Sequence, residues 1–311
     1  IASTKQVWSA RTIRPKISAA LDAYLAGSPL PLRSPVKSAL QLDISSNDRL
    51  FTEYGKSGNQ EHHLSGLPPS GSNAAETHLQ SFMDKGFESY AQDRNDPNLP
   101  GTSSLSPYLH FGQLSALAVA RAARVHGGPS FPAFIEQLVV RRELCRNFVY
   151  YRPDDYDSWM AIPDWAIRTL QEHQDDPRDY LYTIAEFESA ATHDPYWNAA
   201  QKQLLATGTI HNYMRMYWGK MILAWSRNAQ EAFETARILN DRLALDGRDP
   251  NGWAGVAWCF GLHDRPWPRR AVFGIVRSMS AAGLKRGFDA DTYARYWNSS
   301  RYFDFEKEQT T

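Results

Sequence analysis

Apolar residues along this chain recur at the α-helical spacing far more often than in alternation. The clearest case is Thr192 to Trp225, THDPYWNAAQKQLLATGTIHNYMRMYWGKMILAW, which carries two consecutive helix patterns. At 3.6 residues per turn, His211, Arg215, Trp218, Ile222 and Trp225 share one narrow stripe of the second pattern, whereas Tyr213, Lys220, Ala224 and Arg227 fall elsewhere. A guanidinium on a face otherwise made for burial needs an anion, because an unpaired buried charge is costly. A carboxylate, a phosphate or an anionic cofactor would meet that need. Carboxylates follow soon after, with Asp241, Asp246 and Asp249 set around a Gly, Pro and Asn cluster that reads as a loop between helices. The plain alternative is an ordinary aromatic core with one salt bridge.

The same spacing predicts the other elements. A helix spans Thr4 to Leu25, with Pro15 interrupting its first turns. Gly27 to Ser72, rich in Pro, Ser, Gly and Asn, reads as a long surface connection. Its adjacent His62 and His63 read as solvated rather than metal-bound, since no Cys or carboxylate stands at ligand spacing. Helices follow at Ala74 to Tyr90 and, after a turn from Arg94 to Gly101, from the TSSLSPYLHFGQ cluster to about Val125, with Pro107 in the first turn. Phe131 to Tyr151 is another helix, whose Arg141, Arg142, Glu143 and Arg146 would coat a solvated face. Shorter helices are predicted at Asp164 to His173, Thr183 to Ala190 and Trp253 to Gly261, then near Val272 to Ala281 and Asp289 to Trp297 beyond the basic aromatic loop GLHDRPWPRR. No run of alternating β-branched residues predicts a strand, and no repeat period is visible. The fold class is therefore all-α and multi-helical, with a leading helix and linker over residues 1–73 and a helical domain over 74–311.

Composition narrows the function without naming it. The 311 residues, 42% hydrophobic and 22% charged, suit a globular protein with ample core. The net charge is zero, so any nucleic-acid contact must come from a local basic patch. No apolar run is long enough to cross a bilayer, and no signal-peptide pattern opens the chain. Cys145 and Cys259 both fall in helix patterns, which argues for an intracellular, reducing compartment and against disulfide, metal or redox roles. His193 with Asp194, and His263 with Asp264, read as caps or salt-bridge members, since no nucleophile accompanies them. The hydroxyls of Thr102 to Ser106 at a helix start suit either an anion site or simple capping. The chain begins at Ile1 without an initiator methionine and reads as a fragment.

TSSLSPYLHFGQ, WNAAQ, HNYMRMYWGKMILAW, LND, DGRDPNG and GLHDRPW stand in this order between about residues 74 and 297. As an ordered set they closely resemble the FAD-binding catalytic domain of class II cyclobutane pyrimidine dimer DNA photolyases, in the photolyase and cryptochrome superfamily. The leading TKQVWSARTIRPKI resembles the segment by which such proteins leave an N-terminal α/β antenna domain, which this chain lacks. The resemblance implies FAD bound in a folded shape below a cavity open to DNA, working as FADH−, which gives one electron in light to a flipped-out dimer. It leaves the antenna pigment unassigned. The implied partner is DNA containing pyrimidine dimers, with no membrane, and the implied state is a monomer.

Carried over by position, the resemblance gives Thr102, Ser103, Ser104, Leu105 and Ser106 to the FAD phosphate and ribitol groups, with Tyr90 and Arg142 nearby. Arg215 and Asp246 would form an ion pair beside the flavin, Asn240 would face its reactive ring nitrogen, and Gly247 and Arg248 would complete that wall. Trp218, Trp197 and Trp225, in that order outward, match the electron relay. Trp258 matches a tryptophan that packs on the flipped dimer, and Arg94, Arg265, Trp267 and Arg277 would contact DNA, with solvated surface charge as the alternative for Arg94 and Arg277.

One position departs from the family pattern. Where the family has a substrate-facing glutamate, in a stretch ending VRREL, this chain has Gln137, with Glu136 one place earlier. An amide supplies neither negative charge nor a proton, so a slower repair enzyme and a register shifted by one both fit. The leading reading is light-driven dimer repair by a lyase. Its rivals are a cryptochrome-like photoreceptor with the same cofactor but no repair, and a DNA-binding helical module with no chemistry.

Overall fold

The computed structural model describes residues 2–27 and 67–299. Most of the connection predicted from Gly27 to Ser72 lies outside the described residues, as do His62 and His63. Among the described residues the chain is helical throughout, and a single isolated bridge between Arg270 and Gly274 is the sole trace of β-pairing. The all-α expectation holds.

The first helices are α1 (Ala10–Ala26), α2 (Ser72–Lys85), α3 (Tyr90–Asp93), α4 (Ser106–His110) and α5 (Ala116–His126). Pro15 sits inside α1 without ending it. The helix predicted over Ala74 to Tyr90 is divided between α2 and α3. The one predicted from the TSSLSPYLHFGQ cluster to Val125 is likewise broken, because Gly112 adopts a left-handed φ of 68° and Ser115 then caps α5 by accepting from Ala118 N–H. Next come α6 (Phe131–Ile135), a π-helical segment over Glu136–Arg141, and α7 (Arg142–Tyr151), which together run continuously across the predicted helix.

The second half begins with α8 (Asp164–Glu172) and α9 (Ile184–Glu188), the latter started by a Thr183 and Glu186 capping box. The long helices α10 (Pro195–Thr207), α11 (Asn212–Trp225) and α12 (Ala229–Leu243) follow, then α13 (Pro250–Cys259), α14 (Ala281–Gly287) and α15 (Ala290–Asn298). Their starts are written in the sequence. Asp194, Asn228 and Asp249 cap α10, α12 and α13, and Pro195 and Pro250 occupy the first helical position, where no N–H is missed. The helix expected near Val272 to Ala281 is absent. There Asp176 accepts Val272 N–H and Thr169 accepts Ile275 N–H, so side chains of the preceding segments hold this backbone in a turn.

Three groups of buried side chains result. The largest joins α7 through α15 around Trp197, Tyr217, Trp218 and Phe260. A second joins α2 to α6 around Phe82, Phe87 and Phe134, and a third seats α1 through Val7, Ile13 and Ile17 against Val140 and Leu144. Within the largest, α11 and α13 approach so closely that a Cβ on Gly219 would stand 2.6 Å from Cys259 Sγ. The seam between the first two groups is where the chemistry-bearing residues meet.

Candidate functional site

A cavity of about 210 Å³ opens at that seam. Tyr90, Phe134, Gln137, Leu138 and Arg142 wall it on one side, and Asp246, Asp249 and Asn251 on the other, with Ser103 and Ser106 at its edge. Of the residues expected at the cofactor, Tyr90, Ser103, Ser106, Arg142 and Asp246 therefore come together. Arg142 makes no ion pair with the described residues, and burial, with Arg146 adding to it, pulls its pKa below the ordinary value. Asp249, across the cavity, and Glu143 offset part of this lowering without reaching ion-pair distance. Burial of Tyr90 raises its phenol in the opposite direction.

The Asp246 side of the wall is built by α11 and the turn before α13. Arg215 Nη2 lies 3.1 Å from Asp246 Oδ1, so the guanidinium on the aromatic stripe meets a carboxylate. Burial alone would raise the Asp246 pKa, but the Arg215 charge and the Ser106 hydroxyl bring it below the usual range. Gly247 is required by the turn itself, because a Cβ there would stand 2.4 Å from Asn240 O. The Asn240 amide is likewise engaged by the protein, donating to Gly247 O at 2.9 Å and to Asp241 Oδ1 at 3.2 Å. The turn thus pins Asn240 in a fixed orientation.

Several expected contacts lie elsewhere. The Leu105 side chain is buried in the second core, which leaves only its backbone for a ligand, and Thr102, Ser104 and Arg248 are exposed and away from the cavity lining. Leu109, Phe134, Leu138, Asp249 and Asn251 line the cavity without having been singled out as contacts. The signal for Asp249 was the sequence Asp-Pro-Asn, in which it caps α13 by accepting Asn251 N–H.

The π-helical segment sends Glu136 and Gln137 in different directions. Glu136 turns outward to α1, where Arg14 donates two hydrogen bonds of 2.8 Å to its carboxylate, and Arg141 adds a third at 3.1 Å. These partners lower its pKa, the Arg14 hydrogen bonds most. Gln137 lines the cavity.

Trp218 and Trp197 stack with their planes 7° apart and centroids 6.3 Å apart, and Trp197 meets Trp225 at 6.4 Å and 67°. Trp197 thus stands between the other two. Trp197 Nε1 donates to Trp218 O at 2.9 Å, and Trp218 Nε1 donates to the buried Gln201 Oε1 at 2.8 Å. Asp194 caps α10 and also accepts from the Tyr217 hydroxyl. Lys220, off the aromatic stripe, is nonetheless wholly buried and donates to Cys259 O at 2.5 Å. Burial lowers its pKa to about 8 and pushes the Cys145 and Cys259 thiols up to about 12 and about 11.

A basic aromatic surface lies beyond the cavity. Arg141 covers the Trp258 ring at 5.4 Å, and Trp267 takes Arg265 at 5.5 Å and Arg277 at 4.8 Å. Asp264 fixes this loop by accepting Arg265 N–H and Trp267 Nε1–H. His263 accepts no catalytic partner; its Nδ1 lies 3.0 Å from Trp8 O. Arg94 packs over Tyr90 at 5.7 Å, and its carbonyl accepts from His211 Nε2, which ties the start of α11 to α3.

No family model matches the chain. Comparison with whole proteins is more informative. The deoxyribodipyrimidine photo-lyase of Methanothermobacter thermautotrophicus is 46% identical over 296 residues, which are 94% of this chain and 64% of that protein. Those of Oryza sativa subsp. japonica and Potorous tridactylus are 44% and 41% identical, over 95% of this chain and 60% and 56% of theirs. Among solved structures, a class III photolyase from Agrobacterium tumefaciens superposes with a TM-score of 0.65 at 20% identity, over 94% of this chain and 57% of that one. The fold is that of the helical domain of photolyases and cryptochromes. A Synechocystis cryptochrome shares it at a TM-score of 0.57 and 17% identity, over 73% of this chain and 45% of that one. The chain spans about three fifths of the length of the curated photo-lyases it matches.

Proposed function

We propose that this chain is the helical part of a class II photolyase that uses FAD and light to split cyclobutane pyrimidine dimers in DNA. The observation that carries the reading is the row Trp218, Trp197 and Trp225, which starts one turn along α11 from the arginine that pairs with cavity-lining Asp246. Packing alone asks for no such order of rings next to an ion pair. The 39–46% identity to proteins named deoxyribodipyrimidine photo-lyase supports repair over signalling.

The residues fit the cofactor in charge and hydrogen bonding. Arg142 makes no ion pair with the described residues, Ser103 offers a hydroxyl, and the Arg215–Asp246 pair supplies fixed charges at one wall. The enclosed volume of about 210 Å³ is below the ~300–1,000 Å³ of typical ligand sites, so a dinucleotide must also occupy the open rim. When bound and reduced, FAD supplies the light absorption and the single electron that the ring opening needs. The protein's share is position and charge. Asn240 is held by Gly247 O so that its remaining polar atoms keep one orientation, and Gln137 offers an amide to the base. Trp258 under Arg141, and Trp267 between Arg265 and Arg277, present stacking faces and cations to a nucleic acid with an unpaired base.

Residues 1–73 would then lead out of an N-terminal domain, and residues 74–311 would form the catalytic unit. No helix among the described residues is long and apolar enough to cross a membrane. The test is whether the purified chain retains FAD and removes dimers from an irradiated oligonucleotide in light but not in darkness.

A further inference from the structure

The aromatic row does not stop at Trp225. The Tyr182 ring meets Trp225 edge to face, 5.9 Å between centroids, and Tyr182 N–H donates to Trp225 O at 3.0 Å. The Tyr182 hydroxyl accepts from the His193 backbone N–H at 2.9 Å and lies 2.8 Å from His193 Nδ1. A hydroxyl that already accepts from one side is best satisfied by donating on the other, which makes the imidazole the acceptor. The His193 ring stands 4.8 Å from Trp225, and Tyr180 lies parallel over it at 3.5 Å. Trp225 is buried, Tyr182 half-buried and His193 exposed, so these groups lead from core to solvent.

The indole N–H groups of the inner tryptophans meet no base, and the nearby Asp194 carboxylate is taken up by the Trp197 backbone N–H and the Tyr217 hydroxyl. These indole N–H groups donate to a backbone carbonyl and to the Gln201 amide, and the Gln201 Nε2 is in turn spent on Glu188 O. Amide oxygens accept a hydrogen bond but do not take up a proton near neutral pH. A positive charge on Trp218 or Trp197 therefore stays free to move in either direction. At the outer end it meets a phenol whose proton already points at an imidazole.

We propose that Tyr182 and His193 form the proton-coupled end of this electron relay. The inference rests on the relay reading given above. The Trp225 radical cation takes one electron from Tyr182 and becomes neutral. Tyr182 loses that electron and its phenolic proton and becomes a neutral tyrosyl radical. The O–H bond breaks, an N–H bond forms at His193 Nδ1, and the positive charge now sits on an exposed imidazolium that can pass its proton to water. The oxidising equivalent on Trp225 is the one that photoexcited flavin delivers to the row. Return of the electron then requires return of the proton, and the separated state outlives one that ends on tryptophan.

The flavin-loaded protein, illuminated and frozen, tests this by electron paramagnetic resonance. The expected wild-type signal is a tyrosyl radical that narrows when the protein carries ring-deuterated tyrosine. Tyr182→Phe keeps the ring on Trp225 and loses only the hydroxyl, and should give a tryptophanyl radical instead. His193→Gln should also lose the tyrosyl signal although Tyr182 remains, an effect that a packing role for the imidazole does not produce. A wild-type signal from tryptophan alone, or a tyrosyl signal unchanged in Tyr182→Phe, would leave the tryptophan row standing and overturn the role of Tyr182. Absence of any protein radical would remove the relay itself, and this inference with it.

Discussion

Arg215 on α11 and Asp246 in the turn before α13 pair at 3.1 Å, with side chains only 18% and 15% exposed. Through Asp246 the guanidinium reaches the cavity wall. Asp246→Asn would leave a mostly buried cation without its counter-charge, and should cost about 1–3 kcal/mol of stability along with retention of FAD. The Asp246 carboxyl titrates below its usual range in the folded state. Its stabilisation is therefore complete above the unfolded carboxylate value, near 3.9, and is lost as pH falls through the lower folded value. Acid denaturation of the wild type and of Asp246→Asn should accordingly converge below about pH 4.

Glu136 and Gln137 are neighbours in sequence with opposite surroundings. Gln137→Glu places a carboxylate in the cavity, where it can hold charge or a proton against the base, and should raise the yield of repair per absorbed photon. Glu136→Gln should leave that yield unchanged and cost about 1 kcal/mol or less, because the Arg14 partner is 44% exposed. Repair yields of the two variants at matched flavin content check both statements.

Trp218 stands at the inner end of the row, stacked on Trp197. Trp218→Phe preserves most of the packing but removes the ring that loses an electron most readily. Photoreduction of bound FAD should be abolished, while repair by FAD reduced chemically beforehand should persist. Steady illumination under anaerobic conditions, followed by flavin absorbance, measures the first.

Lys220 is wholly buried with a pKa near 8, against an ordinary value of 10.5. Between these two values the unfolded chain holds more protons than the folded one, so stability rises with pH across that window and is lower below it. The gain is on the order of 3 kcal/mol, at 1.36 kcal/mol per unit. Lys220→Met should flatten this rise in chemical denaturation midpoints measured from pH 8 to 10.

The helical class and most element positions were legible because apolar residues keep the 3.6 period and because Asp194, Asn228 and Asp249 announce helix starts. The need of Arg215 for an anion was legible too, and three aspartates were in view as partners. The choice among them was not, since it depends on how the turn around Gly247 folds back on Asn240. The outward turn of Glu136 was hidden for a similar reason. A π-helical segment alters which residues face the cavity, and a reading at fixed period cannot see it. The absent helix near Val272 depends on hydrogen bonds donated by Val272 and Ile275 N–H to Asp176 and Thr169, roughly a hundred residues away in sequence. Lys220 fell outside the aromatic stripe of α11, yet that helix is enclosed on most sides, so leaving the stripe did not mean reaching solvent.

The central claim is that light, acting through this chain, reverses pyrimidine dimers. It is tested most directly by incubating the flavin-loaded protein with an oligonucleotide carrying one defined thymine dimer, in blue light and in darkness, and counting intact dimers. The account predicts loss of the dimer and recovery of two thymines in light alone. Persistence of the dimer in light, with FAD bound and reduced and the oligonucleotide bound, would contradict it.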